Sequence, residues 1–150
     1  MTAMYYNPNI HPGEEYERRR ATLESYASSV AVDVIFESYS PDEYWRAIGD
    51  ERSKPSRCEQ CYRVRLLRAA LRGRSEGSDA FTTTLLISPY QQHELIRAVG
   101  EEVASAVGIK FHYEDYRTGY RESRTMAIEA GLYRQRYCGC ALSLDERGRK

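Results

Sequence analysis

Four cysteines in two close pairs carry the most distinctive chemistry of this chain. Cys58 and Cys61 form a C-x-x-C, and Cys138 and Cys140 form a C-G-C. Four thiolates brought to one point would hold a soft metal ion or an iron–sulfur cluster. The i, i+3 spacing of the first pair puts both sulfurs on one face if the segment is a helix. At a helix start the dipole favours the thiolate that a metal needs, and Lys54, Arg57 and Arg63 act in the same direction. The i, i+2 spacing of the second pair points both side chains the same way in an extended segment, and Gly139 relieves the steric limit on the bend between them. The pairs are far apart in sequence, so the fold must bring them together, unlike the neighbouring pairs of a compact zinc ribbon. Cysteine ligation alone does not separate zinc from iron–sulfur. A redox-active Cys58–Cys61 dithiol is a further reading, although it leaves Cys138 and Cys140 without a role. Incidental cysteines are the bland one.

The other candidates are weaker. His11, His93 and His112 have no partner at ligand spacing, and each reads as a surface or satisfied core histidine. Asp115 precedes an arginine-bearing segment. It could reach a metal, protonate a substrate, cap the next helix or pair with Arg117. The chain has no Gly-rich phosphate loop, Ser-His-Asp order or H-E-x-x-H. Net charge is zero, but 19 of the 22 basic residues are arginines, and they cluster at Arg57–Arg74 and Arg117–Arg136, beside the two cysteine pairs. Arginine suits bidentate phosphate contacts, and tyrosine, present 13 times, suits base stacking. Solvated helix faces and core tyrosines are the plainer reading of the same residues.

Elements must position these groups. At 150 residues the chain suits one domain with one modest core. No apolar run is long enough to span a bilayer. Met1 to Asn9 does not read as a secretory leader, which points to the cytoplasm, where paired cysteines more often bind metal or do redox work than form structural disulfides. Met1–Tyr6, Val32–Phe36, Ala80–Ile87 and Lys110–Tyr113 read as strands. Helices are expected at Glu14–Ser29, Pro41–Ile48 (with Ser40 as cap), Cys58–Arg72, from Ser88 through Val107, and Gly119–Ala130. On the third of these, Cys61, Val64, Leu67 and Leu71 are expected on one side. The tail from Leu132 reads as loop. Strands alternating with helices predict an α/β fold with a parallel sheet flanked by helices, with the site beyond the strands' carboxyl ends, near Ser88-Pro89-Tyr90.

Five stretches add a resemblance. They are Tyr6–Pro12 with Glu15-Tyr16, Arg57–Tyr62 with Arg65-Leu66, Phe81–Gln91, Phe111–Arg117, and Gly131–Cys140. In this order along nearly the whole chain, they resemble the QueH-type epoxyqueuosine reductases. The resemblance implies an oxidoreductase that reduces epoxyqueuosine to queuosine in tRNA, the last step in making that base. It also implies a Rossmann-like fold akin to adenine-nucleotide α-hydrolases, and a 4Fe–4S cluster with an additional iron. Cys58, Cys61, Cys138 and Cys140 take the positions of metal-centre ligands. The family centre also includes a carboxylate, for which Asp115 is the candidate. Arg117, Arg121, Tyr133 and Arg134 are candidate tRNA contacts. Family members normally begin with a strand leading into adjacent cysteines, a C-C-x-x-C segment, before the Tyr-Asn-Pro-Asn turn. This chain starts just before the turn, so the first strand and two cluster ligands are expected to be missing. That keeps two other readings open: an inactive or truncated metal-binding module that interacts with RNA, and a metal-free dithiol oxidoreductase.

Overall fold

The computed structural model describes residues 1–148. They form two compact units. One is Met1–Arg46 together with the chain from Met126 onward, and the other is Ala47–Thr125. The chain is α/β, with two small parallel sheets and six α-helices among the described residues.

In the first unit a β–α–β turn of chain is built from β1 (Ala3–Tyr5), α1 (Gly13–Ser29) and β2 (Val34–Phe36). The strands run parallel, with Ala3 opposite Val34 and Tyr5 opposite Phe36. Parallel pairing demands a long crossover, which α1 supplies. Glu14 and Glu15 occupy its first turn, where the dipole favours negative charge. Tyr5, Ile10 and Tyr16 form the core, packed by Leu23, Val34, Phe36 and Tyr39. Helix α2 (Pro41–Ile48) starts at the proline, as Ser40-Pro41 predicts. The tail is not all loop: α6 spans Ala141–Gly148. Its start is held by Cys140, whose sulfur accepts from Ser143 N–H at 3.3 Å. Cysteine is not among the usual capping residues, which is why pattern alone misses this helix.

In the second unit α3 (Ser56–Ser75) precedes β3 (Ala80–Phe81), and α4 (His93–Val107) crosses over to β4 (Lys110–Phe111). Ala80 pairs with Lys110 and Phe81 with Phe111, again in parallel. Three expectations are corrected here. The strand ends at Phe81 instead of Ile87, because the Thr83 hydroxyl accepts from Leu85 N–H at 3.3 Å and turns Thr84–Ile87 into a 3₁₀ helix, with Leu86 fully buried. Helix α4 starts at His93 and not Ser88. The inward face of α3 carries Tyr62, Leu66 and Ala70, while Leu67 and Leu71 are exposed. After a 3₁₀ turn at Arg117–Gly119, α5 (Tyr120–Glu129) has no buried residue. Gly131, at φ +64°, follows its end. Among the described residues no helix is long and apolar enough to cross a membrane.

Candidate functional site

The Cys138–Cys140 pair is seated on the turn after β1. The His11 N–H donates to the Gly139 carbonyl at 2.8 Å, and the Asn9 side-chain amide donates to the Cys138 carbonyl at 3.4 Å. Gly139 has φ +115°, and a Cβ there would lie 2.8 Å from Ile10 Cγ1, so only glycine fits. His11 stiffens the seat. Trp45 Nε1–H donates to its Nε2 at 3.1 Å. The indole can only donate, so Nδ1 carries the proton that bonds the Asn9 carbonyl at 2.8 Å.

A second network ties the same tail to α1. Glu15 is buried. It accepts from Arg19 Nε at 2.8 Å and from the Tyr133 hydroxyl at 2.8 and 3.0 Å. Arg19 then donates to Gln135 Oε1 at 2.6 Å and to the Tyr137 and Cys138 carbonyls at 3.0 and 3.4 Å. The Tyr137 hydroxyl donates to the His11 carbonyl.

These contacts fix two sulfurs 3.7 Å apart, with Cys138 donating to Cys140. Cys138 is exposed and Cys140 buried. The Cys140 thiol is held below the ordinary thiol range, first by the bond from Cys138 and then by Ser143 and the buried Tyr44. Cys138 is pushed up by the same bond. The hydrogen bond between the sulfurs thus favours negative charge on Cys140 over Cys138. Two thiolates sharing one tetrahedral metal ion with ~2.3 Å bonds lie about 3.8 Å apart, so the second pair has the spacing that thiolate-bound metal needs.

Cys58 and Cys61 lie in the other unit, both half-buried in the first turns of α3. The expected helix-start placement is what the structure has. Of the cations beside them, Arg57 is buried and donates to the Arg52 carbonyl, and Arg63 pairs with Glu59 at 3.0 Å and Glu102 at 2.5 Å. Tyr62, next to Cys61, donates to Gln91 Oε1 at 2.7 Å and accepts from Gln92 N–H at 3.4 Å. Burial pushes its phenol up to about 12. Among the described residues no three His, Cys, Asp or Glu side chains group as a metal site.

The remaining candidates lie as follows. Both carboxylate oxygens of Asp115 are taken by Arg117, through Nε at 2.8 Å and Nη2 at 2.5 Å. That contact holds the carboxyl well below the usual carboxylate range. Of the four residues offered for tRNA, Arg117 is thus ion-paired, the Tyr133 hydroxyl serves Glu15, and Arg121 and Arg134 are exposed. His112 is exposed, 3.4 Å from the Tyr116 hydroxyl. His93 departs from the satisfied-core expectation: it is buried, yet Nδ1 has no hydrogen-bond partner. Pattern reading gave no role to Glu15, Arg19, Tyr44 or Ser143, although Glu15 lies in a stretch that carries the resemblance and stands at i, i+4 to Arg19.

Comparison with known proteins agrees with the ordered motifs. Residues 1–146 match the family model described as epoxyqueuosine reductase QueH. Epoxyqueuosine reductase QueH of Thermotoga maritima is 38% identical over 97% of this chain and 80% of its own length. The protein of the same name from Dehalococcoides mccartyi is 34% identical over 98% of this chain and 80% of its own length. That of Streptococcus pyogenes is 32% identical over 99% of this chain and 62% of its own length. Matched from its first residue to beyond its second cysteine pair, the chain belongs to the epoxyqueuosine reductase QueH family.

Proposed function

We propose that this chain is an epoxyqueuosine reductase acting on tRNA in the cytoplasm, with Cys58, Cys61, Cys138 and Cys140 supplying thiolates to a 4Fe–4S cluster and an additional iron. The carrying observation is the family match over residues 1–146. The 3.7 Å spacing of the Cys138 and Cys140 sulfurs supports the metal part of the reading. The parallel strand pairing with helical crossovers in each unit is what a Rossmann-like sheet would use.

The reaction removes the epoxide oxygen as water and leaves an alkene, consuming two electrons and two protons. Iron held by these thiolates supplies electrons one at a time, which paired thiols alone do not. The chain's own residues set the thiolates in place: Ser143 and Tyr44 stabilise the charge on Cys140, and Arg19 fixes the carbonyls around Cys138. Exposed Arg121 and Arg134 contact tRNA phosphates, and exposed tyrosines stack on splayed bases. Asp115 enters as the partner of Arg117.

The test is anaerobic purification followed by iron and sulfide analysis, then incubation of the chemically reduced protein with epoxyqueuosine-containing tRNA and mass analysis of the nucleosides. Iron with sulfide and conversion to queuosine are expected. Colourless, iron-free protein that leaves the epoxide intact would overturn the reading. Cys138→Ser should lose iron retention, and unchanged iron in that variant would remove Cys138 from the ligand set.

A further inference from the structure

Within the second unit, His93 at the first position of α4 is buried, and its two ring nitrogens have different surroundings. Nε2 lies 3.1 Å from the Ser88 carbonyl. That oxygen can only accept, so Nε2 carries a hydrogen. Among the described residues Nδ1 has no hydrogen-bond partner, and it stands 4.0 Å from Asp115 Oδ1, beyond hydrogen-bonding distance. An unsatisfied buried ring nitrogen is costly and uncommon enough to need a reason. Asp115 is 41% exposed while the His93 side chain is 4% exposed, so of the two groups the carboxylate is the one that meets solvent.

Position adds to this. Parallel β3 and β4 deliver the two groups from the same end of the sheet. The chain after β3 passes through the 3₁₀ turn to Ser88 and His93, and the chain after β4 reaches Asp115 four residues on. Tyr116 N–H donates to the Leu86 carbonyl at 3.3 Å, which joins the two loops. The carboxyl end of parallel strands is where such folds bind ligands. The same corner reaches a thiol pair: Tyr62, adjacent to Cys61, bonds Gln91 and Gln92 immediately before His93. The charges nearby are Asp115 and Arg117 on the far loop, and Glu94 and Arg97 on α4 itself.

We propose that His93, faced by Asp115, is the proton donor of the reduction. This rests on the reductase reading above. In the step, one electron and a proton from solvent open the first C–O bond and leave a hydroxyl beside a carbon radical; with the second electron the imidazolium Nδ1–H bond breaks, its proton goes to that hydroxyl oxygen, and the second C–O bond opens to release water and leave the alkene. The ring is left neutral, the two electrons come from a low-potential one-electron donor used twice, and solvent returns the proton past Asp115. Asp115 is a positioning residue in this scheme.

The test uses the iron-loaded full chain in single turnover with epoxyqueuosine-containing tRNA. His93→Gln keeps a donor for the Ser88 carbonyl but cannot release a proton. It should slow conversion about 100-fold or more, with iron content and tRNA affinity unchanged. Asp115→Asn should slow conversion about tenfold, and the double variant should be no slower than His93→Gln, because the two act as one relay. If His93→Gln does not accumulate, His93→Ala with added imidazole takes its place, and recovered turnover supports the assignment. Turnover of His93→Gln within about threefold of the parent, multiplying rate losses in the double variant, or no rescue by imidazole would overturn it. Failure of the parent chain to convert substrate at all would instead overturn the reductase reading.

Discussion

Glu15 shows how much a single buried carboxylate can organise. It joins α1 to Tyr133 and, through Arg19, to the backbone that carries Cys138. The Glu15 and Arg19 side chains are 9% and 10% exposed, so removing one charge strands the other away from water. Glu15→Gln should lower unfolding stability by about 3 kcal/mol, measured by urea denaturation, and should reduce iron per chain as the tail loosens. Unchanged stability would mean that Arg19 is satisfied by its carbonyl contacts alone. Asp115 gives a pH prediction of definite sign. Its carboxyl lies below the unfolded value because of Arg117. The contact therefore contributes above the unfolded carboxyl pKa and is lost as pH falls toward the folded one. Arg117→Gln should return Asp115 to the ordinary carboxylate range, which a carbon NMR titration of the side chain would read.

Helices α3 and α4 form the packing of the second unit, and their faces make opposite predictions for chemically similar substitutions. Leu66 is 2% exposed and Leu71 50%. Leu66→Ala should cost about 3 kcal/mol and Leu71→Ala under about 0.5 kcal/mol in the same denaturation assay. Equal losses would refute the observed face of α3. Gly100 is the second case. A Cβ there would press into the Phe111 ring. Alanine gains about 1 kcal/mol over glycine in a helix, but overpacking a core ring costs about 1–3 kcal/mol. Gly100→Ala should therefore destabilise on balance, and shrinking the ring with Phe111→Leu in the same chain should recover part of the loss. A stabilised Gly100→Ala protein would show that the ring moves aside freely. Element types were largely legible beforehand. Ser40-Pro41 marked the start of α2 and Gly108 the end of α4, because both act through local backbone rules. The misread pieces depended on contacts that pattern cannot see: the Thr83 hydroxyl ended β3 early, a cysteine capped α6, and packing against Leu86 and Ile96 selected Leu66 over Leu67.

At the scale of the whole molecule, nucleic-acid binding should carry the signature of exposed arginines. Arg134→Gln should weaken tRNA binding similarly across sequences and reduce the magnitude of the log-affinity against log-salt slope by about 0.7, read by titration at several salt concentrations. No change in slope would place Arg134 outside the interface. The cysteine spacing and ordered motifs made the family readable from sequence, since they are local strings. The support around them was not, because Asn9 and Cys138, or Glu15 and Tyr133, are joined across more than a hundred residues. Those long separations also bear on biosynthesis. The unit Ala47–Thr125 is one uninterrupted stretch, whereas the other is assembled from segments on either side of it. On the ribosome, where domains fold as they emerge, the middle can fold while synthesis continues. The seat for Cys138 and Cys140 stays half-built until the segment from Met126 emerges, so a chain stalled before Met126 never completes it.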